Sequence, residues 1–140
     1  MQPSLLRRLS ALNAWVYRLS GERLLGRLRP GAPVCLLTTT GRKSGQRRTV
    51  PLLYLADGDD LIVVGSQGGA PVHPAWYLNL TAEPMAEVEI GSRRFPVMSR
   101  RLEDDEVKAV WPRVLAMWPP CEEYQRRTKR RIPLMRLSPA

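Results

Sequence analysis

The sequence contains few of the residues that bind metals or form disulfide bridges. Its 140 residues include one histidine, His73, and two cysteines, Cys35 and Cys121, which are far apart and outside any Cys-x-x-Cys motif. This set of ligands argues against a metal ion held by the protein. Two such cysteines, with no secretory leader before them, predict reduced thiols in a cytoplasmic protein.

Long apolar runs and common catalytic motifs are also missing. No stretch reaches the ~20 apolar residues of a membrane-spanning helix. The chain has no Gly-x-Ser-x-Gly elbow and no Walker phosphate loop, and its adjacent Asp104 and Asp105 suit the start of a helix. These absences disfavour a hydrolase with its own nucleophile and favour a protein whose cofactor supplies the reactivity.

Positive charge is what the sequence has in excess. Lys and Arg number 22 against 13 Asp and Glu, which gives a formal net charge of +9 and a pI of about 10.5. Such a balance predicts an anionic partner: nucleic acid, an acidic membrane surface or a polyanionic small molecule. Nucleic acid is the weakest of the three, because the sequence has no helix-turn-helix, zinc-finger or RNA-binding signature.

The first 30 residues carry the pattern of a basic amphipathic helix. In SLLRRLSALNAWVYRLSGERLLGRL, apolar side chains recur at helical spacing between residues 5 and 19, while Arg7, Arg8 and Arg18 lie off that stripe. Such a helix can dock on its own domain or lie on an anionic membrane surface. We therefore predict an N-terminal segment, 1–30, and one domain, 31–140, in a protein that is cytoplasmic or peripheral on the inner face of the cell membrane.

The chain after Gly31 has the patterns of short strands. PVCLLTTT, QRRTVPLLYLA and DDLIVVGS predict three antiparallel strands, with a hairpin turn at DGDD; MAEVEI and RRFPVMSR predict a second hairpin, and IPLMRL a last strand. PAWYLNLTAE predicts a short helix opened by Pro74, and EDDEVKAVWPRVLAM a helix interrupted or kinked at Pro112. Six strands without strand–helix–strand alternation favour a mainly β (α+β) fold, an antiparallel barrel with flanking helices.

Two loops of this barrel have the composition of a ligand site. GRKSGQRR joins the first two strands, and its N–H groups and cations can surround a phosphate or carboxylates, although a solvated turn explains the same pattern. SQGGAP follows the third strand, where adjacent glycines let a ligand approach the main chain. If both loops reach one rim of the barrel, a planar ligand can rest on SQGGAP while its anionic tail reaches GRKSGQRR.

The short helix after the second loop has two interpretations. Trp76 is explained by core packing, whereas Tyr77 and Asn79 can also offer hydrogen bonds to a ligand. His73 has no partner visible in the sequence and is interpreted as a loop or capping residue.

Three separated stretches resemble the signatures of one family. LLTTTGRKSGQRRTVPLLYL, VVGSQGGAPVHPAWYLNLTAEP and WPPCEEYQRRTKRRIPLMRL are similar, in the same order and at similar spacing, to those of the deazaflavin-dependent nitroreductases, over residues 15–137. The resemblance implies a split β-barrel of the flavin-reductase and pyridoxamine-oxidase type that binds coenzyme F420, a deazaflavin with a phospholactyl-oligoglutamate tail. FMN is the less favoured alternative, because related barrels bind it.

The resemblance also implies which residues form the site. The polyanionic tail would meet Lys43 and Arg48, with Arg42, Ser44 and Gly45 beside them. The residues implied around the deazaflavin ring are Pro51, Ser66, Gln67, Gly68, Gly69, Trp76, Tyr77 and Asn79. The acceptor pocket is implied at Trp118, Cys121 and Tyr124, and a catalytic proton would come from solvent or a nearby hydroxyl, Ser66 or Tyr124.

Two departures from the family pattern bear on activity. Members often carry Lys where this chain has Gln67, and the nitroreductase prototype has tyrosines at positions matching Trp118, Cys121 and Tyr124, of which only Tyr124 is kept. We predict a reductase that passes a hydride from reduced F420 to a hydrophobic electrophile such as a quinone, an activated enone or a nitro compound. A non-catalytic F420 carrier and an FMN-binding reductase are the alternatives, and a monomer and a homodimer are equally compatible with the sequence.

Overall fold

The computed structural model describes residues 33–140, and the predicted N-terminal helix lies outside them. This part of the chain contains six strands. They are β1 (Val34–Thr40), β2 (Arg47–Asp57), β3 (Asp60–Val64), β4 (Met85–Ile90), β5 (Arg93–Arg101) and β6 (Leu134–Pro139). Every predicted strand is present, because each apolar run is bounded by Gly, Pro or charged turn residues that end it.

The six strands form a closed barrel in the order β1-β2-β3-β6-β5-β4, and every neighbouring pair is antiparallel. The predicted barrel is thereby confirmed. The tight turn between β2 and β3 pairs Asp57 with Asp60, and Gly58 adopts φ 62° there, a conformation that glycine reaches without steric cost. Closure leaves each described strand with two hydrogen-bonded neighbours.

Apolar side chains on the two faces of the barrel wall form two clusters. The first fills the barrel interior and includes Leu37, Val63, Val88 and Leu137, all with no exposed surface. The second lies outside the wall, where Ile62 and Leu134 pack against the helices that follow β5. Strands buried on both faces read as continuous apolar runs, as in LIVV of β3.

In the described part of the chain, three α-helices flank the barrel: α1 (Ala75–Ala82), α2 (Asp104–Met117) and α3 (Pro120–Arg127). Helix α1 follows Pro74 as expected, and Glu103 with Glu106 forms a capping box at the start of α2. The predicted interruption at Pro112 is wrong, because α2 continues through it. Proline removes a single hydrogen bond, and burial of Val110 and Val114 on either side of it holds the helix against the barrel.

Within residues 33–140, the helices are too short or too polar to cross a bilayer. In the same part of the chain, His, Cys, Asp and Glu side chains do not gather in any group of three that could hold a metal ion.

Candidate functional site

A groove runs beside β2 and consists of two adjoining parts. The first part, the cationic groove, has a volume of about 570 Å³. Its lining is Thr39, Gly41, Arg42, Lys43, Ser44, Arg47, Arg48, Thr49, Val50, Ala75, Trp76 and Asn79. The second part, the aromatic pocket, has a volume of about 320 Å³. Its lining is Pro51, Leu52, Leu53, Val64, Ser66, Gln67, Gly68, Pro74, Trp76, Met117, Trp118, Cys121 and Tyr124.

The two parts meet at Trp76, which lines both. Strand β2 passes from one to the other, with its residues 47–50 in the cationic groove and its residues 51–53 in the aromatic pocket. The β1–β2 turn and the loop after β3 are brought to the same side of the barrel because β2 is antiparallel to both β1 and β3. The expected convergence of the two loops on one site is therefore present.

The β1–β2 turn is closed by its own main chain. The Gly41 N–H donates to the carbonyl of Gln46 at 2.7 Å, and the Gly45 N–H donates to the carbonyl of Gly41 at 2.8 Å. Gly45 adopts φ 71°, and the Ser44 hydroxyl accepts the Gln46 N–H at 3.1 Å. With its main chain satisfied in this way, the turn leaves its long cationic side chains exposed to solvent.

A buried amide ties helix α1 to this turn. The side chain of Asn79, 4% exposed, donates from Nδ2 to the hydroxyl of Thr39 at 3.1 Å and accepts the Arg42 N–H at Oδ1, also at 3.1 Å. Both polar ends of Asn79 are thus engaged within the protein. The predicted ligand contact of Asn79 is accompanied by a structural role that the sequence did not reveal.

Most of the charge in the cationic groove is uncompensated. Within residues 33–140, Arg42, Lys43 and Arg48 form no ion pair, and Arg47 has only an outer contact with Glu87 at 4.0 Å. Several arginines elsewhere are paired with carboxylates, as Arg136 is with Asp57 at 2.8 Å. Clustered cations without partners raise the local potential and favour an anion in the groove.

The loop after β3 contains a short 3₁₀ turn, and its backbone has positive φ at three successive residues. Gln67, Gly68 and Gly69 have φ of 45°, 64° and 82°. Gly69 is buried against α3, since a Cβ atom there would lie 2.8 Å from the Tyr124 carbonyl oxygen. Ser66, Gln67 and Gly68 face the aromatic pocket.

The opposite wall of the aromatic pocket comes from the end of α2 and from α3. Trp118, Cys121 and Tyr124 all line it, as the resemblance implies, together with Met117, which sequence reasoning did not include. Burial raises the pKa of the Cys121 thiol to about 11, so this cysteine is a neutral, weakly polar part of the wall. The guanidinium of Arg127 lies 5.9 Å from the centre of the Tyr124 ring.

Three residues implied by the resemblance lie outside the lining of both parts. Gly45 shapes the turn, and Gly69 packs behind its loop. Tyr77 is buried, with its ring 4.8 Å from that of His73 and its hydroxyl accepting a hydrogen bond from Arg101 at 3.2 Å. Arg47 and Leu52 line the groove although the resemblance does not imply them, because consecutive residues of β2 from 47 to 53 contribute to its two parts.

The shape and charge of this groove fit the cofactor implied by the sequence. The cationic groove offers unpaired positive charge to phosphate and carboxylates. The aromatic pocket offers apolar walls and an exposed main chain to a flat ring. Trp76, common to both, permits one elongated ligand to occupy the two parts together.

Comparison with known proteins identifies the same cofactor and activity. Residues 9–139 match the family model of F420H(2)-dependent quinone reductase. An F420H(2)-dependent quinone reductase of Mycobacterium tuberculosis strain H37Rv is 38% identical over 132 residues, which cover 88% of this chain and 85% of that protein.

Solved structures agree in fold and in family. An F420-H2 dependent reductase (FDR-A) is 39% identical with a TM-score of 0.69, over 76% of this chain and 94% of that one. A chain described as a domain-swapped dimer is 36% identical with a TM-score of 0.70, over 89% and 98% of the two chains. These matches confirm the recognition of a deazaflavin-dependent reductase, and this chain belongs to the family of F420H(2)-dependent quinone reductases.

Proposed function

We propose that this protein is an oxidoreductase that uses reduced coenzyme F420 to reduce a quinone. The observation that carries the proposal is the junction at Trp76 of a groove with unpaired cations and a pocket with apolar and aromatic walls. The names of its relatives support the same cofactor and acceptor.

The β1–β2 turn would hold the phosphate and glutamates of the cofactor. Lys43 and Arg48 supply the ion pairs, and Arg42 and Ser44 lie beside them in the groove lining. The guanidinium of Arg48 can bind a carboxylate through two parallel hydrogen bonds, whereas Lys43 acts as a point charge. Because all these groups are exposed, their attraction for the tail is screened by salt.

The aromatic pocket would hold the deazaflavin ring. Pro51 and Trp76 supply apolar surface, and residues 66–68 supply main chain close to the ligand. The N–H groups of Gln67 and Gly68 donate to no acceptor within residues 33–140, so they are free to meet polar edges of the ring. When bound and reduced, the cofactor supplies a hydride from C5 of its ring.

The acceptor would lie between the ring site and the wall formed by Met117, Trp118, Cys121 and Tyr124. This wall is largely apolar, which suits a flat, hydrophobic quinone. Reduction of a quinone to a hydroquinone consumes one hydride and one proton. Ser66 and Tyr124 both line the pocket, and the hydroxyl of one of them would supply that proton. Replacement of two prototype tyrosines by Trp118 and Cys121 favours a quinone over a nitroimidazole.

Titration of the purified protein with F420, followed by turnover of the reduced cofactor with a panel of quinones and enones, tests this function. We expect micromolar or tighter binding and quinone-dependent oxidation of the reduced cofactor. Tight binding without oxidation across the panel would indicate a carrier, and a yellow purified protein would indicate FMN. Absence of F420 binding would overturn the proposal.

The position of residues 1–30 and the assembly state stay predictions. Sedimentation with anionic and with neutral liposomes separates membrane binding of this segment from docking on the barrel. The related structure described as a domain-swapped dimer supports a homodimer, and light scattering would distinguish it from a monomer.

A further inference from the structure

We propose that Arg130 is a positioning residue for the loop on which the deazaflavin ring rests, an inference that depends on the proposed function. Arg130 lies after α3 in the stretch TKRR, which sequence reasoning interpreted only as part of a basic signature. It lines neither part of the groove. Its influence on the ring would therefore be indirect, through the main chain of residues 65–70.

The guanidinium of Arg130 binds the main chain of this loop at three points. Nε donates to the Ala70 carbonyl at 2.8 Å, one terminal nitrogen donates to Gly65 at 3.1 Å, and the other donates to Ser66 at 2.7 Å. The nitrogen that binds Gly65 also lies 3.0 Å from Nδ1 of His73. One planar group thus spans the loop from its first residue to its last.

The loop requires these hydrogen bonds because its backbone conformation is intrinsically unfavourable. Gln67 is the only non-glycine residue with positive φ in the described chain, and it is followed by two left-handed glycines. A non-glycine residue in this conformation is unfavourable and persists only where the surroundings hold it. Two short hydrogen bonds within the loop, Gly69 N–H to Ser66 at 2.9 Å and Ala70 N–H to Gln67 at 3.1 Å, are too local to fix its position on the barrel.

The contacts of Arg130 leave the ligand side of the loop free. It binds carbonyl oxygens, and the N–H groups of Gln67 and Gly68 have no acceptor among residues 33–140. The loop therefore has one side held by a guanidinium and another able to contact a ring. Without Arg130, the carbonyls of Gly65 and Ala70 would lose their side-chain donor, and the carbonyl of Ser66 would keep only the Gly69 N–H. The loop would then sample other conformations before ligand binding.

Lysine cannot replace this arginine. An ammonium group carries the same charge but is a point donor, whereas the guanidinium presents five N–H groups in a rigid plane. The side-chain nitrogen of Arg130→Lys could reach one or two of the carbonyls but not the full span from Gly65 to Ala70. The neighbouring Arg131 is a matched control, since it is 66% exposed and pairs with Asp104 away from the loop.

The experiment compares the wild-type protein with Arg130→Lys, Arg130→Ala and Arg131→Lys, using two probes. One probe is F420 with its complete tail, and the other is the deazaflavin chromophore without phosphate and glutamates. We expect both Arg130 variants to raise the Kd of each probe by the same factor, about tenfold, so that the ratio of the two Kd values is unchanged. Amide hydrogen exchange of residues 66–70 in the free protein should accelerate in both, while Arg131→Lys matches wild type.

Each outcome decides between the two proposals. If wild type binds both probes and the Arg130 variants bind them equally well, or exchange as slowly, the positioning role is wrong and the proposed function stands. If only the tailed probe loses affinity, Arg130 acts on the tail, which also refutes the inference. If wild-type protein binds neither probe, the proposed function fails and the inference with it. Arg130→Lys preserves the test should Arg130→Ala not fold.

Discussion

The main-chain N–H of Arg42 donates a hydrogen bond to Oδ1 of Asn79, 37 residues further along the chain, at 3.1 Å. The Nδ2 atom of the same side chain donates to the hydroxyl of Thr39. Helix α1 therefore holds both the end of β1 and the start of the β1–β2 turn. The direction of the exposed cations thus depends on a neutral, buried amide.

Replacement of Asn79 by Leu should weaken both stability and cofactor binding. It leaves the buried Thr39 hydroxyl and the Arg42 N–H without their partner, which costs about 1–3 kcal/mol of unfolding free energy. Urea denaturation and F420 titration measure the two effects. Thr81→Ala on the exposed side of α1 is the control, and equal stability of the two variants would contradict the role of Asn79.

The double variant Lys43→Ala, Arg48→Ala should bind F420 at least tenfold more weakly in low salt, with a smaller loss at 0.5 M salt, because the ion pairs with the tail are already screened there. Arg126→Ala with Arg127→Ala removes the same charge from α3, where both arginines already pair with glutamates at i, i+4. If the double variant in the groove and this control have the same Kd for F420 at both salt concentrations, the tail binds elsewhere.

Tyr124→Phe should lower turnover with quinones more than it changes the Kd of F420. The substitution keeps the ring in the pocket wall and removes only the hydroxyl, which is one of the two groups proposed to supply the proton. Steady-state kinetics and a binding titration separate the two quantities. An effect confined to cofactor affinity would refute the assignment of Tyr124 to the acceptor side.

Alanine at two adjacent glycines should have unequal effects. Gly68→Ala meets no atom within 4 Å and should cost about 1–2 kcal/mol, from positive φ alone. Gly69→Ala adds a Cβ atom 2.8 Å from the Tyr124 carbonyl and 3.0 Å from Cβ of Arg127, so the loop and α3 must separate. Thermal denaturation should therefore give a lower melting temperature for Gly69→Ala than for Gly68→Ala. The reverse order would show that α3 moves away from the loop at little cost.

Stability should fall in mild acid because of His73. Burial, and then the positive charges of Arg130 and Arg101, lower the pKa of this imidazole below its ordinary value of about 6.5. Below that pH the unfolded chain takes up a proton that the folded protein resists, so the unfolding free energy decreases as pH falls from 6.5 until the folded pKa is passed.

Urea unfolding between pH 7 and pH 5 measures this loss. His73→Gln keeps an acceptor for Arg130 but does not titrate, and its stability should vary less over the same range. Carboxylates with a lowered pKa, such as Glu106 with a pKa of about 2, also contribute to the unfolding free energy. That contribution is lost only below about pH 4.5, outside the range from pH 7 to pH 5. If the unfolding free energies of the wild-type protein and His73→Gln change in parallel with pH, His73 is not the cause of the loss of stability.

The fold and the two ends of the groove were predictable because their signals are local. Turn residues such as Gly58 and the apolar run of β3 fix strand positions within a few residues, and the cations of the β1–β2 turn are contiguous. Tyr77 and Arg130 were not predictable, since their surroundings come from residues distant in sequence. Tyr77 is turned toward His73 and Arg101, and Arg130 reaches a loop 60 residues earlier.

The origin of the proposed acceptor wall in a single segment has a consequence for how such reductases diversify. The wall assigned to the acceptor comes from one short stretch, residues 117–124, which contributes no strand to the barrel. Side chains in residues 117–124 can change while binding of a common coenzyme is preserved. Choice of oxidant and retention of the coenzyme can therefore be selected independently, so one scaffold can acquire new acceptors by substitutions in a single connecting segment.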